Sequence, residues 1–177
     1  MRTYITFTCL FFLILTCHGD SILNHINIEK GISYLSDINE NCVETCIYFV
    51  LANNPKYKTY TYDNIKSIFT AKYGKRPYSM FQIKAFLENL GISVVAKRLE
   101  NKEDIFKFSA KCMIIYFPPI GNSSIGHFSF MFSHVNNGFY LADPALNPNS
   151  IIKFDIDTIF FKRWSGIVLI IGDNDAV

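Results

Sequence analysis

The stretch from His127 to Val135 reads HFSFMFSHV, and its strict alternation narrows the folds open to this chain more than any other feature. Successive side chains of a strand point to opposite faces. Phe128, Phe130 and Phe132 therefore share one side, and His127, Ser129, Met131 and Ser133 the other. Three phenylalanines on one face need an apolar layer to cover them. Asn136-Asn137-Gly138 predicts a tight turn, with Phe139 to Ala142 returning as the partner strand. An antiparallel sheet follows, and the remaining question is what covers it.

The cover is legible upstream. Asn41 to Ala52 holds no Gly or Pro, and its apolar positions suit a buried helix. Ser36, Asp37 or Asn39 can cap it, and Asn53-Asn54-Pro55 ends it. A second helix is predicted over Tyr62 to Tyr73, stopped by Gly74. Ser79 opens a third, with Gln82 completing a capping box, Met80, Ile83, Phe86, Leu87 and Leu90 on one face, and Gly91 closing it. Then β-branched residues take over. Strands are predicted at Ile92 to Lys97, Cys112 to Phe117, Ser150 to Phe154 and Ile167 to Ile171. Short helices are expected at Asn101 to Phe108 and from Asp155 to Arg163 or Trp164. Helices first and antiparallel strands second make the class α+β, with N-terminal helices packed on a C-terminal antiparallel β-sheet. A chain of 177 residues suits one such domain, and half its residues are hydrophobic, enough to fill a core. The net charge of +2 comes with no Lys/Arg stripe, so nucleic acid is not an expected partner.

The first nineteen residues read as a separate element. Met1-Arg2 gives a positive start, Tyr4 to Leu15 is almost wholly apolar, and Thr16, Cys17, His18 and Gly19 are small or polar. This is the layout of a secretory signal peptide, with cleavage near Gly19. The apolar run falls short of the roughly 20 residues that span a bilayer. The expectation is a secreted or periplasmic domain over residues 20–177, with an uncleaved membrane anchor as the alternative and no stable membrane span after cleavage. Thr16 is a poor neighbour for a lipidated Cys17.

Loss of the leader removes Cys9 and Cys17 and leaves Cys42, Cys46 and Cys112. An odd number leaves at least one thiol unpaired in a monomer. Cys42 starts the first helix, where free N–H groups and the helix dipole stabilise a thiolate. Cys46 falls one turn deeper and reads as core. No histidine at ligand spacing accompanies the two, so a zinc site is not expected. A thiol nucleophile needs a base, and the base needs an orienting group. His18 leaves with the leader, His25 lies in a polar stretch, and His134 shares the phenylalanine face. His127 opens a strand after the Gly121-Asn122-Ser123-Ser124 loop, and Asp143 follows the returning strand just before Pro144. Taken singly, each has an ordinary structural reading: a buried cysteine, a strand-edge histidine, a turn aspartate.

Together they resemble a known family. Asn41-Cys42-Val43-Glu44-Thr45-Cys46 resembles the cysteine box of the C39 peptidases, the bacteriocin-processing or double-glycine peptidases. His127-Phe128-Ser129-Phe130-Met131 resembles their His-Phe-hydrophobic strand, and Tyr140-Leu141-Ala142-Asp143-Pro144-Ala145 their aspartate box, sixteen residues on from the histidine. The helix, glycine and strand from Ser79 to Arg98, and Trp164-Ser165-Gly166 before the last strand, also match. The resemblance spans about residues 35–171 and implies a papain-like fold. It also implies a Cys42-His127-Asp143 triad, a peptide or protein substrate and no metal or organic cofactor. The family's glutamine six positions before the cysteine, a donor to the oxyanion, is Ser36 here, with Asn39 and Asn41 as nearby amides. Val43 stands for the family's glycine and Asn41 for its aspartate. The family's best-known members are domains of ABC exporters. This sequence carries no transporter span and no GxxxxGK[ST] loop, so the expectation is a stand-alone exported cysteine peptidase. A weak or inactive peptide-binding module stays open because of Ser36, as does an amidase or acyltransferase using the same triad.

One geometric expectation is sharp. A tight turn at Asn136–Gly138 pairs Asp143 with about Met131 and leaves His127 four residues further on, ~13 Å away along the strand. Contact then needs a bulge, strong twist, or departure of Asp143 from the ladder.

Overall fold

Cys42–Ala52 (α1) is buried along nearly its whole length, from Val43 to Leu51. A helix with no wet face belongs inside a fold, and the rest of the chain is arranged around it. The computed structural model describes residues 42–75, 77–108, 112–119, 126–134, 138–143 and 151–172. The expected leader, the upstream caps Ser36, Asp37 and Asn39, Asn41, and the hairpin turn at 136–137 lie outside the described residues.

After α1 a short 3-10 turn at Pro55–Tyr57 leads to α2, Tyr62–Tyr73, and then to α3, Met80–Asn89. Both helices begin with reciprocal side-chain caps. Thr61 and Asn64 form one, and Ser79 and Gln82 form the expected other. Gly91, at φ +80, turns the chain out of α3 as a C-terminal glycine should. Phe69 of α2 meets Phe86 of α3 edge to face at 5.1 Å. The three helices thus share one apolar cluster.

Six strands follow: β1 Val94–Arg98, β2 Cys112–Phe117, β3 His127–His134, β4 Gly138–Ala142, β5 Ile151–Phe154 and β6 Ile167–Ile171. They form one sheet in the order β1-β6-β2-β3-β4-β5, and every neighbouring pair is antiparallel. This is the α+β arrangement expected from the sequence. Phe128, Phe130 and Phe132 join the helical cluster, and Phe130 stacks on Phe49 of α1 at 5.2 Å. The opposite face is covered as well. Met113, Ile115, Met131, Leu141 and Val168 pack with Phe161 and Trp164 in a second cluster.

Two details differ from the sequence reading. The helix expected over Asn101 to Phe108 is a 3-10 segment, Lys102–Lys107. The helix expected from Asp155 starts later, as α4, Ile159–Arg163. Asp155 is spent on a local turn, accepting from the Asp157 N–H, and Thr158 caps the helix by accepting from the Phe161 N–H.

The Trp164-Ser165-Gly166 segment ties the second layer to the sheet. Trp164 Nε1 donates to the Ile167 carbonyl at 2.9 Å, and Ser165 Oγ to the Tyr116 carbonyl at 2.6 Å. Gly166 sits at φ +79, and a Cβ there would stand 2.9 Å from the Leu99 carbonyl oxygen. Gly166→Ala therefore combines left-handed strain with a backbone clash. The expected cost is about 2–3 kcal/mol, read as a thermal midpoint lowered by about 5–10 °C. Gly91→Ala, at φ +80 with only ordinary contacts at 3.8 and 3.9 Å, should cost less. Equal midpoints for the two variants would contradict the crowding argument.

Candidate active site

The site lies where β3 begins and β4 ends. The register runs unbroken from His134 opposite Gly138 to Phe130 opposite Ala142. Met131 faces Leu141. β4 ends at Ala142, and continuing its register by one step puts Asp143 level with Ser129, not Met131, and so two residues from His127 rather than four. This corrects the sequence reading. The strands pair from His134 opposite Gly138, so the hairpin is centred one residue earlier than Asn136–Gly138 suggested, which slides β4 along β3 by two residues and removes the need for a bulge. Diagonal neighbours on one face stand about 7–8 Å apart at the backbone, within reach of two side chains.

His127 and Asp143 use that reach. His127 Nε2 lies 2.8 Å from Asp143 Oδ1 and 2.7 Å from Oδ2. Asp143 is fully buried, whereas the His127 side chain keeps 28% of its surface exposed. The carboxylate is locked away while the ring still faces outward. Cys42 lies close enough to His127 to help raise its pKa. With Nε2 held by the carboxylate, Nδ1 is the ring nitrogen left for the sulfur. Cys42, the first residue of α1, is half-buried. His127 and Asp143 are thus brought into contact, and Cys42, 85 positions earlier in the chain, lies within electrostatic reach of the ring.

The electrostatics follow from this packing. Burial alone would lower the pKa of His127. Hydrogen bonds and charge from Asp143 and Cys42 outweigh it and lift the ring from 6.5 to about 10. The imidazolium is therefore the favoured form at neutral pH. Cys46 behaves in the opposite way. Burial pushes its thiol well above the ordinary value, and the negative charges of Cys42, Asp143 and Glu44 add to the effect. Two cysteines one helical turn apart thus differ: Cys42 is half-buried, and Cys46 is buried with its thiol held in the protonated form. None of the three cysteines among the described residues forms a disulfide.

One contact was not singled out in the sequence. Ser129 is fully buried, and its hydroxyl donates to Asp143 Oδ2. The signal was available: Ser129 sits two residues from His127 on the same strand face. Without the correct hairpin register, nothing connected it to Asp143. Ser36, Asn39 and Asn41, the candidates for the oxyanion donor, lie outside the described residues. Among the described residues no group of three or more His, Cys, Asp or Glu side chains is placed to hold a metal ion. Among them, too, no helix is long and apolar enough to cross a membrane.

Comparison with known proteins agrees with this geometry. No curated protein matches the chain. A double glycine motif protease from an AMS/PCAT transporter, solved in complex with the leader peptide, has the same fold. Its TM-score is 0.54 at 20% identity, over 73% of this chain and 82% of that one. The peptidase domain of Streptococcus ComA, a bi-functional ABC transporter involved in a quorum-sensing pathway, gives a TM-score of 0.55 at 16% identity. That match covers 76% of this chain and 93% of that one. The Peptidase C39 family matches residues 35–176, which takes in every described strand and helix, and the chain belongs to that family.

Proposed function

We propose that this chain is a cysteine peptidase that hydrolyses peptide bonds through Cys42, His127 and Asp143. The observation that carries the reading is the ring of His127, held by both carboxylate oxygens of Asp143 and electrostatically coupled to Cys42. In this arrangement the His127 ring already holds a proton at neutral pH, and the Cys42 sulfur attacks the peptide carbonyl as the thiolate partner of that imidazolium. The imidazolium then protonates the leaving amine, and water releases the acyl-enzyme. Asp143 fixes the ring in the tautomer that presents Nδ1 to sulfur. The N-terminus of α1 adds backbone N–H groups where negative charge develops.

The peptide substrate has a plausible seat. An apolar groove of about 430 Å³ is lined by Tyr78, Met80, Phe81, Tyr116, Phe128 and Leu169. Phe128 follows His127 in sequence and projects from the opposite face of β3. The groove suits the apolar side chains of an extended or helical peptide. The related AMS/PCAT protease was solved with a leader peptide, which supports a peptide as substrate here. The leader-like residues 1–19 support action outside the cytoplasm, which N-terminal sequencing of the exported protein would check.

The test is digestion of a diverse peptide library, read by mass spectrometry. Wild-type protein is expected to produce cleavages that vanish with Cys42→Ala. Ser36, in place of the family's glutamine, favours one second reading, a module that holds peptides without cutting them. Retention of library peptides without cleavage would establish that reading and overturn the first.

A further inference from the structure

We propose that Ser129 is a positioning residue of this site, a buried hydroxyl that orients the Asp143 carboxylate so that both of its oxygens face His127. The proposal rests on the peptidase reading above and adds a fourth side chain to it. Ser129 has no exposed surface. It stands opposite Ile115 on β2, and its face of β3 continues to the buried Met131. An apolar side chain would fill such a place, and a hydroxyl there is unfavourable unless it finds a partner. Its partner is Asp143 Oδ2. An ionised carboxylate only accepts, so the serine must donate, and the bond favours the charged carboxylate.

The geometry makes this contact specific. His127 and Ser129 project from the same face of β3, and the hairpin register brings Asp143 level with Ser129. The carboxylate is therefore approached from two directions, by Nε2 of His127 and by Oγ of Ser129. With one oxygen held by the hydroxyl, rotation about the Cβ–Cγ bond is blocked, and the carboxylate plane stays aligned with the ring. Among the described residues, Cys42 and Asp143 act electrostatically on His127, and Cys42, Asp143 and Glu44 act on Cys46.

Ser129→Ala removes one oxygen and leaves the strand to pack as before. It is expected to lower kcat about tenfold with KM unchanged, the effect of one charge-assisted hydrogen bond. The alkaline limb of the pH profile should move to lower pH. Ser129→Thr, which restores the hydroxyl, should return both. A histidine NMR titration gives the same answer without a substrate: the His127 midpoint should fall in Ser129→Ala and recover in Ser129→Thr. An unchanged midpoint and pH profile, with only the melting temperature lowered, would make Ser129 a packing residue and overturn the proposal. Failure of the peptidase reading shows separately, as absence of cleavage by the wild-type protein.

Discussion

Asp143→Asn is expected to lower the rate of peptide hydrolysis at neutral pH by about 10³–10⁴-fold while the protein still folds. The substitution keeps size and shape and removes the charge. Burial is the largest influence on His127, and it acts against the protonated ring. What holds the ring near 10 is the carboxylate, with Cys42 in support. Without the carboxylate the burial effect prevails, and the ring pKa should drop below the ordinary 6.5. At pH 7 the imidazole is then neutral and a poor acceptor for the thiol proton. An asparagine also presents an NH₂ group that competes with Nε2–H and favours the wrong tautomer. The stability signature has a definite sign. A histidine whose folded pKa is raised contributes stability that is full below about 6.5 and lost as pH rises through about 10. Wild-type protein should therefore melt at progressively lower temperature between those values, and Asp143→Asn should show a flatter profile. Activity within tenfold of wild type would remove Asp143 from the machinery.

How much of this was readable beforehand depends on the range of the interaction involved. Ser79 and Gln82, three residues apart, announce their capping box in the sequence, and the box is there. The faces of β3 follow from alternation alone, and the phenylalanines do meet the helices. Cys46 reads as core because it lies one turn inside a helix with no polar stripe, and it is buried. The hairpin register was less accessible. A slide of β4 along β3 by two residues leaves every side chain on its face, so the alternation pattern cannot detect it. Only the position of the turn decides, and Asn136-Asn137-Gly138 placed it one residue too late. That small error hid both the ease of the His127–Asp143 contact and the role open to Ser129. The meeting of Cys42 with His127 has no local signature at all. It became an expectation through the order and spacing of three boxes, each of which has an ordinary structural explanation by itself.

The helix bearing Cys42 and the strand bearing His127 must also be held in register with each other, and the core does this. Phe49 of α1 and Phe130 of β3 are both fully buried, and their rings stack at 5.2 Å and within 12° of parallel. Phe130 also stacks with Phe132 at 6.1 Å. Phe130→Ala would leave a cavity between the two elements that carry the reacting groups. The expected loss is about 3–5 kcal/mol, out of a total that is typically about 5–15 kcal/mol. For a domain of this size that is a thermal midpoint lower by about 10–15 °C. The more informative reading is taken at low temperature, where the variant is folded. If the stack sets the distance from sulfur to ring, iodoacetamide should react with Cys42 several-fold more slowly below pH 7 in Phe130→Ala, and Phe130→Leu should fall between. If reactivity is unchanged in a variant that melts early, the alignment is set at the end of the sheet by the His127, Asp143 and Ser129 hydrogen bonds alone. The buried carboxylate would then position the base without help from the aromatic core, and drift in the core sequence would be tolerated without loss of the site.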